Sequence, residues 1–98
     1  MLRHVVCFRW VEGTTDERVA RFRDLLAALP GAIPELRRYH FGPDGGLAEG
    51  NFDFAVVADF DDHEGWQAYQ DHPDHVRVLE YLQPMVADRA RVQFELDE

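Results

Sequence analysis

The segment from Trp66 to Val76 concentrates the side chains that are best suited to acid–base chemistry. It contains one tyrosine, Tyr69, and two histidines, His72 and His75, around a proline. A neutral imidazole can remove a proton next to a carbonyl group, and a phenol can donate a hydrogen bond to the oxyanion that forms. This pattern predicts either a site for proton transfer or a helix joint that uses its polar side chains structurally.

Pro73 indicates how these side chains could be brought together. Proline is favoured in the first turn of a helix, where its missing N–H group costs nothing. One helix should therefore end near Tyr69, and a second should begin with Asp71 or His72 at its N-cap. Tyr69 and His75 would then flank the joint between the two helices.

The composition excludes several other reaction types. The 98 residues include no serine and no lysine, so a serine nucleophile or a lysine Schiff base is impossible. The lone cysteine, Cys7, lies in a strand pattern, where cysteine is usually a small apolar side chain. The histidines, tyrosines and carboxylates are left as candidate groups.

A metal site is a weaker interpretation of the histidines. Zinc or iron needs at least three ligands, so His4, His40, His63 or a carboxylate would have to complete a pair formed by His72 and His75. The proline between the last two favours the helix joint instead. We expect no metal and no other cofactor.

Charge and length narrow the class of protein. The formal net charge of −9 disfavours nucleic acid and anionic membranes as partners. No apolar run is long enough for a membrane span, and the N-terminus lacks a signal-peptide pattern. A single cysteine cannot form an internal disulfide, which favours the cytoplasm. We expect one domain over residues 1–98.

Alternating apolar residues predict four strands, at residues 2–11, 35–41, 51–60 and 89–96. Two helical patterns separate them, so the order is β-α-β-β-α-β. This order predicts an α+β fold of ferredoxin-like type, with two helices covering one face of a four-stranded antiparallel sheet. The even-numbered residues of the first and third strands are bulky and should face the helices.

Local signals set the expected helix boundaries. Thr14 and Glu17 form a capping box at the start of the first helix, and Pro30-Gly31 should end it. Asp61-Asp62 can cap the second helix. Past the joint, the expected apolar stripe consists of Val76, Leu79, Leu82 and Val86.

Two further features concern the surface. The sheet face opposite the helices carries apolar residues at mid-strand, namely Val5, Cys7, Ala55 and Val57. An apolar face of this kind is typical of a surface that packs against another subunit, so we expect a homodimer formed through the sheet faces. Residues 42–50 include four glycines and should form a loop, either a lid over a pocket or a plain hairpin connection.

Motifs along the whole chain resemble the stress-responsive dimeric α/β-barrel (Dabb) family. They are residues 4–10, Ile33-Pro34, Glu49-Gly50 and Tyr69-x-x-His72-Pro73-x-His75-Val76. The resemblance implies a ferredoxin-like subunit whose sheet joins that of its partner in a shared barrel.

Plant polyketide cyclases of this family have a functional tyrosine and two histidines that match Tyr69, His75 and His4. The resemblance implies cofactor-independent proton transfer, cyclisation or isomerisation of a small carbonyl-containing, aromatic or polyketide-like ligand. His75 would be the general base, Tyr69 the hydrogen-bond donor to the enolate, and His4 the support. The alternative is a non-catalytic, stress-associated dimer, with or without a ligand.

The chain also departs from the family pattern. Gln93-Phe94 stands where members often have Asp-Tyr, which changes one polar group. Leu26 and Phe54 stand where the cyclases have more polar side chains, so a different substrate is expected.

Trp66 and His75 also resemble part of the site of the monooxygenases and haem-degrading enzymes built on a similar barrel. Those enzymes use an asparagine as well, and Asn51 at the start of the third strand is the only asparagine here. The set is incomplete, and we expect Trp66 to belong to the core.

Overall fold

A computed structural model of the protein describes residues 1–97. Its four strands are β1 (Leu2–Trp10), β2 (Arg38–Pro43), β3 (Phe54–Phe60) and β4 (Val86–Glu95). Its helices are α1 (Asp16–Ala27), α2 (Leu29–Ala32), α3 (His63–Asp71) and α4 (Pro73–Leu82), followed by a 3₁₀ turn at Gln83–Met85. Within residues 1–97, no helix is long and apolar enough to span a membrane.

The strands form one antiparallel sheet in the order β2-β3-β1-β4. The predicted ferredoxin-like α+β fold is therefore confirmed. The even-numbered residues of β1 and β3 face the helices, as expected from their bulk. The resulting core contains Val6, Phe8, Phe54, Val56, Ala58 and Phe60 from the sheet, and Phe22, Leu26, Leu29, Val78 and Leu82 from the helices.

The edge strand β4 places its polar residues on the helix side. Gln93 lies opposite His4, and Arg91 opposite Val6; directly opposed residues of antiparallel strands share a face. Val92 and Phe94 therefore point to the other, open face, where their side chains are 54% and 45% exposed. Val92 and Phe94 therefore do not belong to the core, whereas Val86 at the start of the strand packs against it.

The start of α1 differs by one residue from the predicted capping box. The N-cap is Thr15, whose Oγ1 accepts a hydrogen bond from the Arg18 N–H at 3.2 Å. Thr14 instead donates its hydroxyl hydrogen bond to the Val11 carbonyl at 2.7 Å. Because Thr14 is used to close the preceding turn, the pairing of Thr14 with Glu17 is wrong.

The end of the first helix is also earlier than predicted. α1 ends at Ala27, and Pro30-Gly31 lies inside the short helix α2. Proline cannot donate a hydrogen bond to the carbonyl four residues back, and its ring crowds that carbonyl. Pro30 thus interrupts the first helix and is accommodated within the first turn of the next.

The joint between α3 and α4 agrees with the prediction. α3 is capped by Asp62, whose carboxylate accepts from the Gly65 N–H. α4 has His72 at its N-cap, where the ring Nδ1 accepts from the Asp74 N–H at 3.1 Å. The buried residues of α4 are His75, Val78 and Leu82, so Leu82 of the expected stripe is confirmed, whereas Val76 is 40% exposed.

Both β2 and β3 begin three residues later than the sequence predicted. β2 begins at Arg38, because a turn closed by the Leu36 N–H on the Ile33 carbonyl occupies the residues before it. β3 begins at Phe54, and the carboxylate of the preceding Asp53 accepts a hydrogen bond from the Trp10 N–H.

The N-cap of α1 gives a direct test of this description. Thr15→Ala should lower the free energy of unfolding by about 1 kcal/mol, because the Arg18 N–H loses its acceptor. Thr14→Ala is the matched control, since it removes a single exposed hydrogen bond and should cost less. Urea unfolding of both variants measures the difference, and a larger loss for Thr14→Ala would show that the capping box is correct.

Candidate functional site

A cavity of about 50 Å³ lies between the helix layer and the sheet. All four strands and the helices α1, α3 and α4 contribute to it. Its lining consists of His4, Val6, Phe8, Phe22, Leu26, Tyr39, Val56, Tyr69, Gln70, His75, Val78, Leu79, Leu82, Arg89 and Arg91. Only the two arginines of this lining are exposed, so the cavity opens beside β4.

His4, Tyr69 and His75 all line this cavity, and each is at most 5% exposed. The ring centroids of Tyr69 and His75 are 4.0 Å apart across the helix joint. The centroids of His4 and Tyr69 are 6.3 Å apart. The fold therefore brings together the three residues singled out from the sequence, and their functional role stays a prediction.

The hydrogen bonds of His4 determine where its proton lies. Its Nδ1 is 2.8 Å from Gln93 Nε2 and 3.4 Å from Trp66 Nε1. An indole N–H can only donate, and so can the amide nitrogen of glutamine. Nδ1 of His4 is therefore the acceptor, and the neutral ring carries its proton on Nε2.

His75 has the opposite arrangement. Its Nδ1 is 3.4 Å from the Gln70 carbonyl oxygen, which can only accept. The proton of the neutral ring therefore lies on Nδ1, and the lone pair lies on Nε2. One buried imidazole thus offers a basic nitrogen, and the other offers an N–H donor.

Both rings are held in the neutral form. Burial, the charge of His75 and the charge of Arg91 lower the pKa of His4 to about 4. Burial also lowers the pKa of His75 from its ordinary value, against a smaller opposite effect of the Gln70 carbonyl. Desolvation disfavours the charged imidazolium, so both histidines are uncharged at pH 7.

Tyr69 is paired with a second tyrosine. Its hydroxyl oxygen is 2.8 Å from that of Tyr39 on β2. Burial raises the pKa of Tyr69 to about 12, and the hydrogen bond to Tyr39 opposes this increase. The pKa of Tyr39 is raised as well, by burial and by Tyr69. Both phenols therefore keep their protons and can act as donors.

Four residues of the site were not identified from the sequence as functional. Tyr39 supports Tyr69, and Gln93 contacts His4 directly. In the sequence, Gln93 stands out only as a departure from the family pattern, yet it fixes the tautomer of His4. Arg89, Arg91 and Gln93 follow one another at two-residue spacing, and this spacing is the one feature of the sequence that indicates a shared face.

The remaining candidate groups lie outside the cavity. His72 caps α4, and His63 stacks on Trp66 with ring centroids 5.5 Å apart. Within residues 1–97, no group of three or more His, Cys, Asp or Glu side chains could hold a metal. Trp66 packs against the core and reaches His4.

Neither Asn51 nor the glycine-rich segment lines the cavity. The amide of Asn51 donates to Asp44 within the β2–β3 connection. The structure therefore does not bring Asn51 to Trp66 and His75. Of the two interpretations of this connection, lid or hairpin connection, the structure agrees with the second.

The fold and this cavity define a ferredoxin-like α+β protein with a buried histidine–tyrosine cluster. The family described as the Stress responsive A/B Barrel Domain (Dabb) matches residues 2–96. The chain belongs to this family. No curated protein shows significant similarity to it.

Solved structures agree with this assignment. A dimeric ferredoxin-like protein of unknown function from Thermobifida fusca YX is 54% identical, with a TM-score of 0.92 over 97% of this chain and 90% of its own. A dimeric protein of unknown function from Bacteroides fragilis is 25% identical, with a TM-score of 0.85 and coverages of 97% and 95%. The hydroxynitrile lyase from Passiflora edulis, at 16% identity, TM-score 0.87 and coverages of 99% and 94%, shares the fold.

The buried neutral histidines predict acid sensitivity. The pKa of His4 is 6.5 in the unfolded chain and about 4 in the folded protein, so the unfolded state binds the proton more readily. The contribution of neutral His4 to stability is complete above pH 6.5 and is lost as the pH falls towards about 4. At about 1.4 kcal/mol per pH unit, His4 should contribute on the order of 3 kcal/mol. His4→Gln should flatten the dependence of the unfolding free energy on pH between 6.5 and 4.

Chemical unfolding at a series of pH values measures this slope. His63→Gln is the matched control because His63 is exposed, and it should leave the slope as in the wild type. An equal slope in the wild type and in His4→Gln would show that His4 is not held neutral by the fold.

Proposed function

We propose that the protein is a cofactor-independent enzyme that transfers a proton next to a carbonyl group of a small molecule. The observation that supports this most strongly is the pair of complementary imidazoles. His75 offers an unprotonated Nε2, and His4 offers an Nε2–H, in one cavity that also contains the Tyr69 hydroxyl. Cyclisation and isomerisation of polyketide-like compounds both begin with this step.

In the proposed reaction, His75 Nε2 takes the proton from the carbon next to the carbonyl. The C–H bond breaks, its electron pair forms the enolate C=C bond, and the carbonyl oxygen becomes an oxyanion. Tyr69 and His4 donate hydrogen bonds to this oxygen, in an environment where burial strengthens them. For an isomerisation, His75 then returns the proton to a different carbon or to the enolate oxygen. For a cyclisation, the enolate carbon forms a bond to a second carbonyl carbon of the same ligand, the π bond of that carbonyl breaks, and the alkoxide that results takes the proton from His75.

Tyr39 has a supporting role in this scheme. If Tyr39 donates to Tyr69 across their 2.8 Å contact, the hydroxyl hydrogen of Tyr69 is free to point at the ligand. The raised pKa of Tyr69, about 12, keeps that hydrogen in place at neutral pH. This arrangement suits a donor and does not suit a phenolate base.

The Passiflora edulis relative is named a hydroxynitrile lyase. That name indicates that a protein of this fold can be a small-molecule enzyme. At 16% identity it is an example of catalysis on this fold and indicates neither the reaction nor the substrate of this chain.

We also propose that the protein works as a homodimer formed through the open sheet face. Relatives from Thermobifida fusca and Bacteroides fragilis are described as dimeric. The apolar residues of this face are Val5, Cys7, Ala55, Val57, Val92 and Phe94. A cytoplasmic location is proposed with it, since one cysteine forms no internal disulfide.

The size of the cavity favours a second candidate function, that of a non-catalytic or ligand-binding dimer of the stress-responsive family. A volume of about 50 Å³ holds a few water molecules or one carbonyl group. A substrate would therefore place only its reacting end in the cavity, and the rest of the molecule would lie outside it beside β4. The experiment below separates the two functions.

The proposal is tested by hydrogen–deuterium exchange at carbon. Small methyl ketones and β-keto esters are incubated with the protein in D₂O, and loss of the C–H signal next to the carbonyl is followed by NMR. His75→Gln should lower the protein-catalysed rate by about 10²–10⁴-fold, because the base is lost. Tyr69→Phe should lower it as well, since the enolate loses a donor.

Tyr81→Phe is the control for the tyrosine variant. Its hydroxyl contacts the Arg18 carbonyl outside the cavity, so its loss should leave the rate unchanged. Exchange by the wild type no faster than in buffer would favour the non-catalytic dimer. An unchanged protein-catalysed rate in His75→Gln would show that His75 is not the base.

A further inference from the structure

The mouth of the cavity carries an unusual charge for this chain. Acidic residues outnumber basic ones by 19 to 10, yet no Asp or Glu of residues 1–97 is part of the cavity lining. The charged members of that lining are Arg89 and Arg91, and the four groups deeper inside, two histidines and two tyrosines, are neutral. The charged side chains that line the cavity are therefore all positive, in a strongly negative protein.

Arg89 and Arg91 reach the cavity because of the register of β4. They lie opposite Phe8 and Val6 of β1, and Gln93, two residues further on, lies opposite His4. The three side chains thus form a row on the helix side of the sheet, from the surface to the buried imidazole. The guanidinium carbon of Arg89 is 5.7 Å from the Phe8 ring centroid, and the charge of Arg91 reaches His4.

The two guanidinium groups have no acidic partner among residues 1–97. Elsewhere, arginines of this chain pair with carboxylates: Arg37 with Asp61, Arg77 with Asp74, and both Arg3 and Arg38 with Asp59. No ion pair of this kind involves Arg89 or Arg91 in the described part of the chain. Two adjacent arginines whose donors are free at the mouth of a cavity suit an anion, which a guanidinium binds through two parallel hydrogen bonds.

We propose that Arg89 and Arg91 form an anion subsite, and that the ligand of the cavity is a small, partly apolar carbonyl compound with a carboxylate or phosphate group at its outer end. The inference deepens the proposed function and rests on it for the role of the inner end. The reacting carbonyl enters between His4, Tyr69 and His75, and the apolar body contacts Val6 and Phe8. The anionic group stays at the surface, because the cavity is too small to enclose the whole ligand.

Binding is measured with two anions, benzoate and phenyl phosphate. Methyl benzoate, the uncharged ester of benzoate, is the control ligand. Isothermal titration calorimetry gives each Kd, and the ring protons of His4 and His75 report by NMR whether the probe reaches the cavity. We expect at least one anion to bind about tenfold or more tightly than the ester, since charge-assisted hydrogen bonds are the stronger ones. The preferred anion identifies the outer group as carboxylate or phosphate.

Arg89→Gln/Arg91→Gln should abolish the preference for the anion. Arg21→Gln/Arg23→Gln removes the same charge from exposed positions of α1 outside the cavity lining and should retain it. If neither anion binds more tightly than the ester, or if the Arg89/Arg91 variant keeps the preference, the inference is wrong.

A third variant separates this inference from the proposed function. His75→Gln should still bind the anion through the two arginines while it loses exchange activity. The wild type could also bind the anion through Arg89 and Arg91 but show no exchange activity. That result would establish the anion subsite and contradict the proposed enzymatic function.

Discussion

The site depends on the hydrogen bonds made by two buried Nδ1 atoms. A buried imidazole is neutral, so it has one donor and one acceptor, and the partner of one nitrogen decides the state of the other. Gln93 and Trp66 donate to His4, whereas the Gln70 carbonyl accepts from His75. The chemistry that the cavity can perform follows from these partners, since they make one Nε2 a donor and the other a base.

Each partner is supplied by a different part of the fold. Gln93 reaches His4 because β1 and β4 are neighbours and these residues are directly opposed. The Gln70 carbonyl reaches His75 because only His72 separates the end of α3 at Asp71 from the start of α4 at Pro73, which places the last turn of α3 beside the first turn of α4. The sheet register and the helix joint are therefore both part of the functional arrangement.

Much of this arrangement was predictable from the amino-acid pattern. The period-two alternation of β1 placed His4 on the helix side, and Pro73 placed Tyr69 and His75 on either side of a joint. Two neighbouring threonines left the cap of α1 ambiguous by one residue. Only the geometry of the turn, with Thr14 bonded to Val11, decides in favour of Thr15.

It was harder to predict from the sequence which residues of β4 point towards the helices. Its apolar residues alternate as a core strand would, but Val92 and Phe94 lie on the open face and Arg89 and Arg91 on the helix side. Alternation divides a strand into two faces without showing which one is inside, and the tertiary register decides that. The arginines and Gln93 therefore could not be assigned to the cavity beforehand.

The most direct test of this account is the tautomeric state of the two histidines at pH 7. Nitrogen-15 chemical shifts of the imidazole rings distinguish a protonated from an unprotonated nitrogen. We predict a protonated Nε2 in His4 and a protonated Nδ1 in His75, with no imidazolium in either ring. The same tautomer in both rings, or a charged ring at pH 7, would contradict the assignment of His75 as base and His4 as donor.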